Sequence, residues 1–125
     1  MTVVLDSGAL IALERNVRSM WVRLKATRSA GEVPITHGGV LGQVWRGDPR
    51  QARLARALGG IDVKPLDARL GRASGVLLGA AGRADVIDAA LVLLASDGDE
   101  IVTSDPDDLV LLADVADKDV EIIRP

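Results

Sequence analysis

The sequence predicts an α/β protein with a mostly parallel central sheet of four to five strands flanked by helices. Two observations support this fold class. Short runs of β-branched and aliphatic residues alternate with longer stretches whose apolar residues recur at helical spacing, and such alternation is typical of parallel sheets covered on both faces. The 125 residues are 48% hydrophobic and 26% charged, which is enough for one domain with a substantial core. We therefore expect residues 1–125 to form a single domain.

The first predicted strand ends at an acidic residue, Asp6, and two helices are predicted to follow it. Residues 2–5 are β-branched or aliphatic, and apolar residues at helical spacing follow over residues 9–13. Asn16 is predicted to cap a second helix that reaches about residue 28. Gly31 ends that helix before a short strand at residues 33–36.

The middle of the chain continues the alternation. Residues 37–45 are predicted to form a short helix. Asp48 and Pro49 then start a helix over residues 50–58, because aspartate is a good cap and proline suits the first helical position. A Gly-Gly pair ends this helix, and residues 61–64 form a strand.

The last third of the chain is predicted by the same patterns. Helical spacing covers residues 66–78, and the glycine-containing segment 79–82 is predicted to break the helix. The remaining predicted elements are a helix at 85–95, a strand at 100–103, a helix at 108–113 and a strand at 120–123.

Composition excludes several classes of protein. The absence of cysteine excludes disulfides, Cys-based zinc sites and thiol catalysis, and agrees with a cytoplasmic location. Asp6 and Glu14 interrupt the apolar residues at the start, so neither a signal peptide nor a membrane helix is predicted. The net charge of −3 means that any contact with nucleic acid must use local patches. The two aromatic residues, Trp21 and Trp45, are either core residues or parts of contact surfaces.

Four aspartates are placed so that they can form a site. Asp6 and Asp105 directly follow strands, and ligands of open α/β sheets bind beyond the carboxyl ends of strands. Asp85 and Asp88 lie about 60° apart around a helix, so they project from one face. Asp6, Asp85 and Asp105, each taken by itself, are also typical of a helix cap or a turn, whereas Asp88 lies deeper in an apolar run and fits that alternative less well. Together they predict a site for Mg²⁺ or Mn²⁺, because clustered carboxylates repel one another unless a hard cation binds between them.

Four segments, LDSGALIALE, GQVWRG, DVIDAALVLLA and VTSDPDDL, together resemble the PIN-domain family, and especially the actinobacterial VapC-like toxins, over nearly the whole chain. The resemblance implies a PIN-like three-layer sandwich and a metal-dependent endoribonuclease that uses Mg²⁺ or Mn²⁺. It also implies that Asp6, Asp88 and Asp105 are catalytic metal ligands, with Asp85 and Asp107 as further ligands. RNA as substrate, a small VapB-type antitoxin as partner and a cytoplasmic homodimer are implied as well.

One position departs from the family pattern. Gln43 stands where most of the family has glutamate, and a neutral amide binds a hard cation more weakly than a carboxylate does. Glu14, on the first helix, either supplies the missing charge or is a solvated helix residue. Ser7 and Ser104 either orient a water molecule or phosphate, or cap helices. The alternative function is that of a PIN-fold protein with a weakened site that acts by binding RNA or a partner.

Basic residues recur at three- and four-residue spacing after the central segment. Arg46, Arg50, Arg53 and Arg56 are predicted to form a stripe on one side of the fourth helix. This stripe binds RNA phosphates, faces a partner or is simply solvated. His37, the one histidine, is predicted to start a helix rather than to act as a general base.

Overall fold

Five parallel strands form the central sheet in a computed structural model that describes residues 1–125. The strands are β1 (Val3–Leu5), β2 (Ile35–His37), β3 (Asp62–Lys64), β4 (Glu100–Val102) and β5 (Glu121–Ile123). Their order across the sheet is β3-β2-β1-β4-β5, and every neighbouring pair is parallel. The order reverses between β1 and β4, and it is beyond the carboxyl ends of strands at such a switch point that open α/β sheets bind ligands.

Seven α-helices flank the sheet. They are α1 (Ser7–Glu14), α2 (Arg18–Ser29), α3 (Gly38–Val44), α4 (Ala52–Leu58), α5 (Ala68–Ala81), α6 (Val86–Leu94) and α7 (Pro106–Val115), and a 3₁₀ turn at Pro49–Gln51 precedes α4. Helix α1 packs against α2, α3 and α4, whereas α5, α6 and α7 pack against one another. The predicted α/β class and three-layer sandwich are thereby confirmed. No helix has the length and apolarity that crossing a membrane would require.

The core is centred on β1, β4 and α6. Every residue of β1 is buried, and so are Ile101 and Val102 of β4 and Ala89–Val92 of α6. These side chains are aliphatic, and burying one valine or leucine side chain contributes about 1.5–3 kcal/mol to folding. The three elements that carry Asp6, Asp88 and Asp105 are therefore fixed in the most densely buried part of the fold.

The predicted cap of the second helix is wrong. Asn16 has a φ of 60°, and the residue that precedes α2 is Val17, which makes no side-chain capping bond. Asparagine adopts this left-handed conformation more readily than most residues do. Asn16 therefore forms the tight turn after α1 instead of starting α2.

The predicted helix break at residues 79–82 is also misplaced. Helix α5 continues to Ala81 and ends at Gly82, whose φ is 65°. A single glycine inside a helix costs only about 1 kcal/mol, so Gly79 does not interrupt it. The start shifts too, because the carboxylate of Asp67 accepts a hydrogen bond from the backbone N–H of Leu70 and begins the helix at Ala68.

Candidate functional site

Asp6 is held in one orientation at the carboxyl end of β1. Its side chain is only 8% exposed. Oδ1 accepts a hydrogen bond from the backbone N–H of Ser7 at 2.7 Å, and Oδ2 accepts one from the hydroxyl of Thr103, also at 2.7 Å. The backbone N–H of Asp6 donates to the carbonyl of Val102 at 3.0 Å. Asp6 thus caps α1 and is at the same time tied to β4.

Thr103 is a residue that the sequence reasoning missed. It is completely buried directly after β4, and its Oγ1 also accepts a hydrogen bond from the backbone N–H of Asp105 at 3.1 Å. One hydroxyl therefore links the carboxylate of Asp6 to the backbone of Asp105. The sequence feature that could have identified Thr103 is its position at the end of a predicted strand, two residues before Asp105.

Asp88 lies in the first turn of α6, where the negative charges of other carboxylates act on it. Burial and the negative charges around it raise its pKa from 3.8 to about 7. After burial, the charges that contribute are those of Asp85, Asp6, Asp108 and Asp105, in that order. A carboxyl that faces several like charges holds its proton more strongly. The raised pKa therefore reflects acids that follow β1, lie on or cap α6 and lie at the start of α7, all near enough to act on Asp88.

Asp85 and Asp105 contribute charge from more open positions. Asp85 caps α6, and its Oδ1 accepts from the backbone N–H groups of Ile87 at 2.9 Å and Asp88 at 3.2 Å. Asp105 precedes α7, is exposed, and caps nothing with its side chain. Its carboxylate is therefore free to rotate toward a ligand.

The acids of the first turn of α7 differ in what they face. Asp107 is exposed and is not among the charges that act on Asp88. Asp108 does act on Asp88, and it also lies 3.6 Å from the guanidinium of Arg83. Of the five predicted ligands, Asp6, Asp85 and Asp105 lie close enough to act electrostatically on Asp88, and Asp107 does not.

His37 supports the helix that carries Asp88. It is completely buried, its Nδ1 accepts from the backbone N–H of Gly39 at 3.0 Å, and its Nε2 lies 3.0 Å from the carbonyl of Ile87. This pattern requires a neutral ring with the proton on Nε2. His37 starts α3, as predicted, and ties the end of β2 to the start of α6.

Gln43 and Glu14 do not join the carboxylates. Gln43 is exposed on α3, and its side chain makes no hydrogen bond. Glu14 instead accepts a hydrogen bond from Nε2 of the buried Gln51 at 2.6 Å, and it is absent from the charges that act on Asp88. Gln51 also donates to the carbonyl of Val44 and accepts from the backbone N–H of Arg46. Glu14 thus belongs to a separate polar group beside the 3₁₀ turn.

The two serines flank a close contact between α1 and the loop after β4. Ser7 offers its backbone N–H to Asp6, and the carbonyl of Ser104 accepts from Arg124 at 2.9 Å. A Cβ atom at Gly8 would lie 2.1 Å from Oγ of Ser104 and 2.8 Å from its Cβ. Only glycine at position 8 allows this approach, which keeps Asp6 next to Asp105.

The predicted arginine stripe does not form on one helix. Arg46 follows α3, Arg50 lies in the 3₁₀ turn, and only Arg53 and Arg56 lie on α4. The reason is the turn at residues 47–49, which Gly47 enters with a φ of 69°. The guanidinium of Arg46 folds back onto the carbonyls of Gly42, Gln43 and Trp45 at the end of α3.

The carboxylates suit a hard divalent cation by chemistry, although no three acidic or histidine side chains stand close enough to form a finished metal shell. All donors would be carboxylate oxygens, which such ions prefer. Asp6 is oriented by two hydrogen bonds, whereas the carboxylates of Asp88 and Asp105 accept none from the protein. The Asp88 and Asp105 side chains therefore have no hydrogen bond to lose on binding a cation.

Comparisons with known proteins identify the fold. No protein-family model matches the sequence, and no curated protein matches it. The structure, however, is similar to a chain in the crystal structure of VapBC2 from Rickettsia felis bound to a DNA fragment from their promoter. The TM-score is 0.69, the match covers 98% of each chain, and the sequence identity is 14%. The likeness supports a VapC-like fold, as the sequence predicted.

Proposed function

We propose that this protein is a metal-dependent endoribonuclease of the VapC toxin type, with residues 1–125 acting as one catalytic domain. The observation that carries the proposal is the convergence of Asp6, Asp88 and Asp105 at the switch point of the sheet, expressed in the pKa of Asp88. Such a concentration of negative charge destabilises the metal-free protein, and strongly perturbed carboxyl groups cluster at functional sites. The fold likeness supports the same assignment.

Asp6, Asp88 and Asp105 would hold Mg²⁺ or Mn²⁺, and Asp85 would add negative charge beside them. When bound, such a cation lowers the pKa of water and offsets the charge on a phosphodiester undergoing hydrolysis. Asp6 contributes a carboxylate that Thr103 and the N–H of Ser7 keep in position. Asp88 retains a proton up to about pH 7 in the metal-free protein, so it must lose that proton to act as a ligand.

The partners follow from the family resemblance and the structural neighbour. That neighbour is a VapBC2 assembly bound to promoter DNA. From it we extend to this chain a VapB-type antitoxin as protein partner. RNA as substrate, a homodimeric state and a cytoplasmic location are proposed from the family resemblance alone. Co-expression with the antitoxin gene that such systems carry, followed by co-purification, tests the partner directly.

The decisive experiment is cleavage of total RNA by the purified protein in Mg²⁺ or Mn²⁺. Asp6→Asn removes one ligand charge, and we expect it to abolish cleavage while circular dichroism shows the fold retained. Asp114→Asn is the matched control, because Asp114 is exposed on α7 and its carboxylate makes no ion pair or hydrogen bond. Cleavage that survives EDTA, or that Asp6→Asn retains, would refute the proposal.

A second candidate function is RNA or partner binding by a weakened nuclease. The observation that favours it is that Gln43 carries no charge and that Glu14 is bound to Gln51 instead of joining the site. In that case the folded protein stays inert toward RNA in both metals. Binding of RNA without cleavage would then be the activity to measure.

A further inference from the structure

Arginines line two neighbouring depressions, the first of which contains carboxylates of the candidate site. The first, of about 580 Å³, is lined by Asp6 and Asp105 and also by Arg15 and Arg124. The second, of about 350 Å³, is lined by Arg15, Arg46 and Arg50 together with Glu14, Asp48 and Gln51. Arg15 belongs to both, so the two depressions adjoin at its side chain. We call Arg124, Arg15, Arg46 and Arg50 the basic track.

The guanidinium groups of the basic track have N–H donors that make no hydrogen bond within the protein. Arg15 is exposed and makes no side-chain hydrogen bond or ion pair. Arg124 uses one N–H on the carbonyl of Ser104, and the exposed Arg50 lies 3.6 Å from Asp48. Arg46 makes three bonds to carbonyls, which leaves two of its five N–H groups. Guanidinium groups with free N–H donors are well suited to phosphate.

Charge is distributed unevenly along the chain. From Arg15 to Arg56 nine residues are basic and two are acidic, whereas from Asp85 to Glu121 twelve are acidic and one is basic. The overall charge of −3 hides this separation. Three arginines of the basic track, Arg15, Arg46 and Arg50, come from this basic segment, and Arg124 lies outside both segments.

An exposed aromatic residue, Trp45, adjoins Arg46 of the basic track in the chain, although it lines neither depression. Trp45 directly precedes Arg46 and is 40% exposed. Its indole Nε1 lies 3.9 Å from the place that a Cβ atom would occupy at Gly47. Trp21, the other aromatic residue, is half-buried against the core, and its N–H is buried without a partner. Trp45 is thus the better placed of the two to stack on a base.

We propose that single-stranded RNA lies along the basic track, with its phosphates on the arginines and one base stacked on Trp45. The inference rests on the proposed function, because the track leads to the carboxylates that would cut the strand. Basic side chains that contact phosphates, combined with an aromatic ring that stacks on a base, are a common way to bind a single strand without reading its sequence. The indole favours RNA over an acidic peptide, because bases stack on it and carboxylate side chains do not.

Fluorescence tests the track without cleavage. Wild-type protein in EDTA is titrated with a labelled single-stranded RNA of about 12 nucleotides, and both RNA anisotropy and tryptophan emission are recorded. Since the chain has two tryptophans and no tyrosine, binding on the track should quench Trp45 selectively. Trp45→Leu should weaken binding about tenfold and remove the quenching, while Trp45→Phe keeps most of the affinity.

Charge variants test the arginines. Arg15→Gln and Arg50→Gln should each weaken binding severalfold and reduce the slope of log K against log salt by about 0.7. Arg72→Gln is the matched control, because Arg72 is an exposed arginine of α5 without a side-chain partner and lines neither depression. If the arginine variants of the basic track bind RNA with the same affinity as Arg72→Gln, or if quenching persists in Trp45→Leu, the proposed binding of RNA along the basic track is refuted.

The remaining outcomes separate the track from the nuclease assignment. If an acidic peptide of similar length binds as tightly and quenches Trp45 as strongly, the track is a protein contact and the proposal for RNA is overturned. If RNA binds as expected but no metal supports cleavage, the track stands and the nuclease assignment fails. If metal-dependent cleavage is normal in all track variants and their RNA affinity is unchanged, the nuclease assignment stands and the track fails.

Discussion

Replacing Asp88 by asparagine should stabilise the metal-free protein at neutral and alkaline pH. Burial and the neighbouring carboxylates raise the pKa of Asp88 from 3.8 to about 7. Between these two pH values the folded protein binds one more proton than the unfolded chain does. Stability therefore falls as pH rises through this window, because the unfolded chain releases the proton more easily. Asparagine has nearly the same shape and carries no charge, so the variant lacks this loss.

The magnitude follows from the size of the shift. A change of about 3 pKa units corresponds to about 4 kcal/mol at 1.36 kcal/mol per unit, which is an upper limit. Asp88 is partly open to solvent, and solvent screens its repulsion, so we expect about 1–2 kcal/mol. For a domain of this size that corresponds to a rise in Tm of about 3–8 °C at pH 8. At pH 4 the two proteins should differ little, because Asp88 is then protonated.

The assay is thermal unfolding of wild type and Asp88→Asn in EDTA from pH 4 to pH 8, repeated with Mg²⁺. Added Mg²⁺ should stabilise the wild type and leave the variant nearly unchanged, because only the wild type retains the full set of ligands. Asp114→Asn controls for the loss of a charge elsewhere on the acidic half of the chain. A difference between wild type and Asp88→Asn that is zero at pH 8, or constant from pH 4 to pH 8, would refute the convergence of the carboxylates.

Three further substitutions test the surroundings of the site. Thr103→Val removes the hydroxyl that the Asp6 carboxylate and the N–H of Asp105 share, so we expect a loss of about 1–3 kcal/mol in the free energy of unfolding by urea and weaker cleavage. Thr103→Ser keeps the hydroxyl and should stay close to wild type, so equal behaviour of the two variants would contradict this role. Gly8→Ala should lower the free energy of unfolding by about 1–3 kcal/mol, because the added methyl group pushes α1 away from the loop after β4. Adding Ser104→Gly should restore part of this stability. Strictly additive effects of the two substitutions would show that the contact is unimportant. Gln43→Glu should leave Mg²⁺ affinity nearly unchanged in a titration followed by cleavage rate, because Gln43 is exposed on α3 and does not join the carboxylates; an approximately tenfold gain would place position 43 in the site.

The sequence alone was sufficient for the fold and for part of the site. Runs of β-branched and aliphatic residues and helical spacing are local patterns, so five strands and seven helices could be predicted at nearly their observed places. Asp6 and Asp105 could be paired in advance because parallel strands put their carboxyl ends on one edge of a sheet. The errors were local as well: Asn16 and Gly79 each fit two backbone conformations, and the choice depends on packing that a short window of sequence does not contain.

Contacts between distant residues were decided only by the tertiary structure. The hydrogen bond from Thr103 to Asp6 spans 97 residues and exists because β1 and β4 pair in register at Leu5 and Val102. Glu14 is taken by Gln51, 37 residues away, although its spacing from Asp6 allowed it to join the site. Arg15 and Arg124 meet around one depression from opposite ends of the chain. Sequence patterns determine which residues face the core and which follow strands, but which polar groups meet depends on strand order and register, since these bring together parts of the chain that no local spacing relates.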